Sequence, residues 1–166
     1  MNKRAGARRR LAASLYETVL LSALALVTGF ALLPALGLAS PSNSRVLPLL
    51  GPAAQAISFV SLFAVLGAYC VWGWSDGRQT LPMKTWHIAV ESTSGSRVSM
   101  ARAALRYVAW WIGPALAICA YATLRPYGYG RWAVGLLAVN YAWALLNTDR
   151  QFLHDRLAGT RLTVES

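Results

Sequence analysis

Long apolar blocks dominate the chain, with little alternation of apolar and polar positions. The blocks cover residues 11–33, 53–74, 105–124 and 132–146. A transmembrane helix needs about 20 mostly apolar residues, and the first three blocks reach that length. The fourth block has only fifteen residues, so it can cross only if Arg131 and Asn147 lie at the interfaces of a locally thinned bilayer. The pattern predicts an all-α membrane protein with four transmembrane helices.

The first block has an alternative interpretation as a cleaved signal peptide, because a basic stretch, MNKRAGARRR, precedes it. A signal peptide, however, has an apolar core of about 7–15 residues. The block is longer than that and contains an acid, Glu17. These two features favour a retained helix. The chain then divides into a basic arm, residues 1–10, and one membrane domain, residues 11–166.

The composition supports the membrane assignment and gives an orientation. Hydrophobic residues make up 56% of the chain and charged residues 13%, whereas soluble domains carry about 25% charge. The net charge of +10 is not accompanied by any nucleic-acid-binding motif, so we expect anionic lipid head groups as the partner. Thirteen of the sixteen Lys and Arg residues lie in the N-terminal arm, the middle connection and the tail. The positive-inside rule therefore predicts that both termini are cytoplasmic.

Two polar segments outside the blocks alternate like β-strands. Thr85–Glu91 places Trp86, Ile88 and Val90 on one side, and Thr160–Val164 has a shorter alternation. We expect the two segments to pair as a small cytoplasmic sheet, the alternative being two disordered loops. Arg97–Ser99 could return as a further strand, with Ser99 capping the third membrane helix.

Three stretches together resemble the RDD family of small bacterial multi-pass membrane proteins. They are RRLAASLYE, GRQTLPMKTWHIAV and RQFLHDRLAGTRLTV, of which the string LHDRLAGT is the most specific. The family is named for one arginine and two aspartates, which match Arg10, Glu17 and Asp155 by position. Glu17 departs from the usual Asp, and Pro82 stands where Gly is common. The resemblance implies a helical bundle in the bacterial cytoplasmic (inner) membrane, with cation–proton exchange proposed for some members.

Glu17 is the main candidate for a functional residue. An acid inside a membrane helix normally faces the bundle, where it is paired or protonated. Arg106 is the predicted partner of Glu17, and Arg10 is the predicted partner of Asp155. We call Arg10, Glu17, Arg106 and Asp155 the charged cluster. It is either an ion or proton site or a structural ion-pair network.

Asn140 is the one strongly polar residue of the fourth block. We expect its side chain to hydrogen-bond between packed helices rather than to bind a ligand. No catalytic, cofactor or metal motif is recognisable, so we expect neither an enzyme nor a bound cofactor. Two functions remain. The protein is a small carrier of monovalent cations or protons, which would need to form homo-oligomers, or it is a membrane module that docks a partner without transport.

Overall fold

The computed structural model describes residues 5–36, 51–146 and 151–164. Residues 1–4 of the predicted arm, and most of the predicted extracytoplasmic connection between the first two spans, lie outside that part of the chain. The elements follow in chain order: α1 (Ala7–Ala35), α2 (Pro52–Trp74), α3 (Leu81–Thr85), β1 (Ile88–Ser92), α4 (Met100–Trp110), α5 (Ile112–Leu124), 3₁₀ helices Arg125–Tyr127 and Gly130–Ala138, α6 (Val139–Leu146), α7 (Leu153–Leu157) and β2 (Thr160–Val164).

Among the described residues, three helical segments are long and apolar enough to cross a membrane. They are Arg8–Ala35, Pro52–Trp74 and Met100–Tyr127, and they contain the first three predicted spans. The fourth region differs from the predicted α-helix. It begins as a nine-residue 3₁₀ helix, Gly130–Ala138, and continues as the eight-residue α6. Gly130 and Gly135 lie in the 3₁₀ part, and glycine is a poor α-helix former.

Pro114 interrupts the third membrane segment. An α-helical residue donates its backbone N–H to the carbonyl four residues earlier, and proline has no N–H to give. The Trp110 carbonyl therefore loses its helical partner, and the helix divides into α4 and α5 at Trp111. The side chain of Asn140 replaces the missing donor, with Nδ2 2.7 Å from the Trp110 oxygen. Asn140 thus links α6 to the break in the third segment.

The predicted sheet is confirmed, with a shifted first strand. β1 and β2 pair antiparallel, from Ile88 opposite Val164 to Ser92 opposite Thr160. The first strand begins at Ile88 and not at Thr85, because Leu81–Thr85 forms α3 and His87 adopts a positive φ of 48°.

The segment after β1 also departs in part from the prediction. Arg97–Ser99 does not add a strand, since the described sheet has two strands only. The Val98 carbonyl instead accepts a hydrogen bond from the Asp76 backbone N–H. The expected cap is present, because the Ser99 side chain accepts a hydrogen bond from the Arg102 N–H at the start of α4.

The buried core lies at one end of the helices, beside the sheet. We call this end, formed by α3, α7 and the two strands, the sheet end. Its core combines side chains from the membrane helices with side chains from the sheet: Cys70, Trp74, Met83, Ile88, Val90, Val98, Ala103, Tyr107 and Leu162. Only 6% of the apolar window of α1 is buried within the chain. Away from the sheet end, the outer helix faces are therefore left for lipid or for another protein.

Candidate functional site

A buried ion pair joins α4 to α7 at the sheet end. Arg106 Nη2 lies 2.8 Å from Asp155 Oδ1, and the two side chains are 5% and 1% exposed. We expected Arg106 to pair with Glu17; its direct ion pair is instead with Asp155, and it acts on Glu17 only over a longer distance. Sequence spacing estimates depth along a helix, but it cannot show that α7 folds back against α4.

Local structure holds both partners of this pair in place. The guanidinium of Arg106 also lies over the ring of Trp74, 4.7 Å from its centroid, where a cation–π interaction adds to the ion pair. The Asp155 carbonyl accepts a hydrogen bond from the Thr160 hydroxyl at 3.2 Å. Gly159, at a φ of 61°, allows the chain to turn from α7 into β2.

His154 is a member of the site that the sequence did not assign. Its Nε2 lies 3.4 Å from Asp155 Oδ1. Burial lowers the pKa of His154 to about 4, more than the charge of Asp155 raises it, so the imidazole is neutral at pH 7. Its Nδ1 is buried without a hydrogen bond to any described residue. The one signal in the sequence was its position next to Asp155.

Glu17 has a different environment from Asp155. Its Oε2 accepts a hydrogen bond from the Thr80 hydroxyl at 2.8 Å. Its Oε1 is buried, and no described residue gives it a hydrogen bond of normal geometry. Tyr69 and Arg106 are its other polar neighbours. Within the described chain, no cation lies within 4.0 Å of this carboxylate, although Arg106 acts on it over a longer distance.

Gly73 determines how closely Thr80 can approach the helices. A Cβ added at Gly73 would lie 2.5 Å from the Thr80 methyl carbon, which is closer than carbon atoms can pack. Glycine at this position lets the connection after α2 lie directly on that helix. The Thr80 hydroxyl can then reach Glu17 on α1.

Three residues of the charged cluster line one cavity. Arg10, Glu17 and Arg106 surround a partly enclosed space of about 50 Å³, together with His154. A cavity needs about 10–15 Å³ of such volume to hold one water molecule, so this one accommodates several. Asp155 lies just behind it, in contact with Arg106 and His154.

Arg10 reaches the cavity from the start of α1. Its guanidinium lies over the Phe152 ring, 5.3 Å from the centroid, and Phe152 in turn stacks on His154 at 5.6 Å. Arg10 is only 8% exposed. The N-terminal helix is therefore packed against the same closing segment that carries Asp155.

The described residues contain no group of three or more His, Cys, Asp or Glu side chains that could hold a metal ion. What they do hold together is two arginines, one carboxyl group and one neutral imidazole in the wall of a small cavity, with the Asp155 carboxylate in contact with Arg106 and His154. Such an arrangement can bind water and can move protons between oxygen and nitrogen atoms.

The sequence profile of the RDD family matches residues 4–159. The chain belongs to the RDD family. The match covers nearly the whole chain and includes Arg10, Glu17 and Asp155, so the family assignment made from short motifs is confirmed. No curated protein and no solved structure matches the chain. For this RDD protein, the geometry around the cavity is therefore the main guide to function.

Proposed function

We propose that this protein is a four-span protein of the bacterial cytoplasmic membrane, with both termini in the cytoplasm, and that it carries protons or small cations through the charged cluster. The observation that carries the proposal is Glu17. Its side chain lines the cavity that Arg10, Arg106 and His154 also line, and one of its oxygens is buried without a hydrogen bond of normal geometry to any described residue.

The topology rests on charge and on helix length. The sheet end carries most of the described Lys and Arg residues, as expected for the cytoplasmic side. For the fourth crossing, a 3₁₀ helix rises about 2.0 Å per residue, so Gly130–Ala138 spans about 18 Å. The eight residues of α6 add about 12 Å. The total of about 30 Å matches the hydrocarbon thickness of a bilayer.

Glu17 suits a carrier because its protonation can change without breaking an ion pair. A protonated Glu17 can keep its hydrogen bond from Thr80, and the Glu17 side chain lines the cavity, where water can deliver or accept the proton. Asp155 lacks this freedom, since it contacts Arg106 and His154 directly. A residue that carries protons has to bind and release them. Of the two carboxyl groups, Glu17 is the one that can do so without losing an ion pair.

The cavity favours a proton over a metal cation as the ligand. Arg10 and Arg106 line the same space as Glu17, so a bound sodium or potassium ion would be close to two positive charges. A proton transferred to Glu17 neutralises the carboxylate and adds no separate ion to the cavity. We therefore expect proton flux to be the primary activity.

A single copy encloses little room for a path across the membrane. The outer face of α1 is largely exposed, with Val19, Leu26, Val27 and Phe30 each more than 60% accessible. Exposed apolar side chains are ordinary where they meet lipid, and they are also available to a second copy. We expect the working carrier to be a homo-oligomer.

Flux through proteoliposomes tests the proposal. Purified protein is reconstituted with a pH-sensitive dye inside, and a potassium gradient with valinomycin provides the driving voltage. We expect proton uptake that Glu17→Gln abolishes and Glu17→Asp, which restores the usual family residue, retains. Glu91→Gln is the matched control, because Glu91 pairs with Arg161 in the sheet, away from the cavity.

The second candidate function is a membrane module that docks a partner without transport. The Arg106–Asp155 pair favours it, since this contact locks the closing segment against the bundle as a rigid structural element would require. If folded wild-type protein gives no proton or cation flux under any gradient, or if Glu17→Gln transports as well as wild type, the carrier proposal fails. The docking module then becomes the better description.

A further inference from the structure

At the opposite end of the helices, an apolar groove runs between α5 and the 3₁₀ helix Gly130–Ala138. It has a volume of about 440 Å³, and its walls include Ala117, Ile118, Val134 and Leu137. Arg131 is the one charged side chain among its lining residues, and it lies at the turn that joins the two helices. We call this feature the hairpin groove. It lies outside the charged cavity and plays no part in the proposed transport.

The small residues of the two helices create the groove. A Cβ at Gly113 would lie 3.1 Å from the Leu137 carbonyl oxygen, and one at Gly130 would lie 3.2 Å from the Arg125 Cα. The helices therefore touch closely at both ends. Between these contacts, Ala117 and Ala133 are buried and short, so the space above them stays open.

The turn beside the groove has unbalanced positive charge. Arg125 and Arg131 are both exposed, and neither makes an ion pair with a described residue. The sequence has no Asp or Glu between Glu91 and Asp149, and none in residues 34–52. This end of the protein is therefore cationic without local acids, beside a groove that is almost entirely apolar.

Aromatic rings lie beside both guanidinium groups. The Arg131 guanidinium lies 5.4 Å from the centroid of the Trp132 ring, and that of Arg125 lies 6.0 Å from the Tyr121 centroid. Tyr127, Tyr129 and Trp132 are 60–75% exposed. Such rings concentrate at the head-group level of a bilayer, where phosphate groups also lie.

We propose that the hairpin groove binds an anionic phospholipid, with one acyl chain between α5 and the 3₁₀ helix and the phosphate held by Arg131 and Arg125. The apolar walls match a hydrocarbon chain, and the two unpaired arginines match a negative head group. A helix of a second copy would fill the groove equally well, but it would leave both charges unbalanced. Charge complementarity therefore selects the lipid.

Native mass spectrometry of the detergent-solubilised protein tests this proposal. Phosphatidylglycerol is titrated against phosphatidylcholine with the same acyl chains, and glycerol phosphate serves as the free head group. We expect tighter binding of phosphatidylglycerol than of either competitor. Each basic residue near an anionic lipid surface contributes to the free energy of binding. Arg131→Gln should therefore weaken binding about fivefold, and the double variant with Arg125→Gln should weaken it about 25-fold.

Two further variants act as controls for folding and for location. Arg131→Lys keeps the charge and should retain the preference for the anionic lipid. Arg156→Gln removes the same charge from an exposed position in α7, at the sheet end, and should leave binding unchanged. Val134→Phe narrows the groove from a side chain that is 67% exposed, and it should weaken lipid binding without loss of the fold.

Several outcomes would overturn the proposal. One is equal binding of the anionic and zwitterionic lipids, and another is an equal loss of binding in Arg156→Gln. Glycerol phosphate binding as tightly as phosphatidylglycerol would show a phosphate site that needs no acyl chain. A lipid-free dimer that Val134→Phe dissociates would show that a second copy occupies the groove.

Discussion

Asp155 and Glu17 are two carboxyl groups at the same end of the protein, and their surroundings differ sharply. Asp155 is 1% exposed and lies within 3.4 Å of both Arg106 and His154. Glu17 is only partly buried, and its one described hydrogen bond of normal geometry comes from an uncharged hydroxyl, that of Thr80. Glu17 and Arg106 both line the cavity, and Arg106 contacts Asp155 directly but acts on Glu17 over a longer distance.

The difference shows that acidic residues in one protein can have two roles, one structural and one that allows a change of protonation. An acid in direct contact with a buried arginine cannot lose its charge without leaving that arginine uncompensated, so its role is to hold helices together. An acid held by a hydroxyl can be charged or neutral and still accept the same hydrogen bond. Three substitutions or conditions would break or sharpen this comparison.

The largest effect is expected for Asp155→Asn. The change removes the negative charge and leaves the 5%-exposed Arg106 side chain without its ionic partner. Breaking a buried pair in this way costs about 3–5 kcal/mol, so we expect a large loss in the free energy of unfolding, measured by SDS titration in mixed micelles. Glu91→Gln, in the more exposed pair with Arg161, should cost less than about 1 kcal/mol. Equal losses in the two variants would contradict a structural role for Asp155.

An intermediate effect is expected from pH acting on His154. Its pKa is about 4 in the folded protein and about 6.5 when unfolded, so the unfolded state binds more protons between these values. Stability is therefore full above about pH 6.5 and falls as the pH decreases toward 4, by about 3 kcal/mol in total. The measurement is the difference between the wild-type and His154→Phe stability profiles, since the other acids titrate in both. Parallel profiles would show that His154 does not contribute.

The smallest effect on stability is expected for Glu17→Gln. Glutamine keeps a carbonyl oxygen that can accept the Thr80 hydrogen bond, so the free energy of unfolding should change by less than about 1 kcal/mol. The same variant should nevertheless abolish proton flux, which separates function from folding. A loss of stability as large as that of Asp155→Asn would mean that the charge of Glu17 is structural, and the comparison would collapse.

Local sequence patterns were enough to predict three membrane helices and the sheet. Apolar blocks of about 20 residues identified three membrane segments, and a period of two along the polar segments identified both strands, although α3 displaced the start of the first. The break between α4 and α5 likewise follows from one residue, Pro114, and its missing N–H. These features depend on residues close together in the chain, so sequence periodicity and proline chemistry report them directly.

Partner choice could not be predicted in the same way. Asn140 was expected to pack between helices. It also donates a hydrogen bond to the carbonyl of Trp110, 30 residues earlier, which has no helical donor because of Pro114. Arg106 was assigned to Glu17 because the two share a depth, whereas α7 brings Asp155 closer. The sequence could not assign His154 to the site, because the surroundings of its ring are formed by Phe152, Arg106 and Asp155 together.

Sequence alone thus determined the family, the membrane character and the set of charged residues available at the sheet end. The tertiary structure decided which charge meets which, how much of each is buried, and where a cavity remains. The physical reason is range: hydrophobicity and helix periodicity act over neighbouring residues, while Coulomb and hydrogen-bond energies depend on ångström-scale distances between segments far apart in the chain.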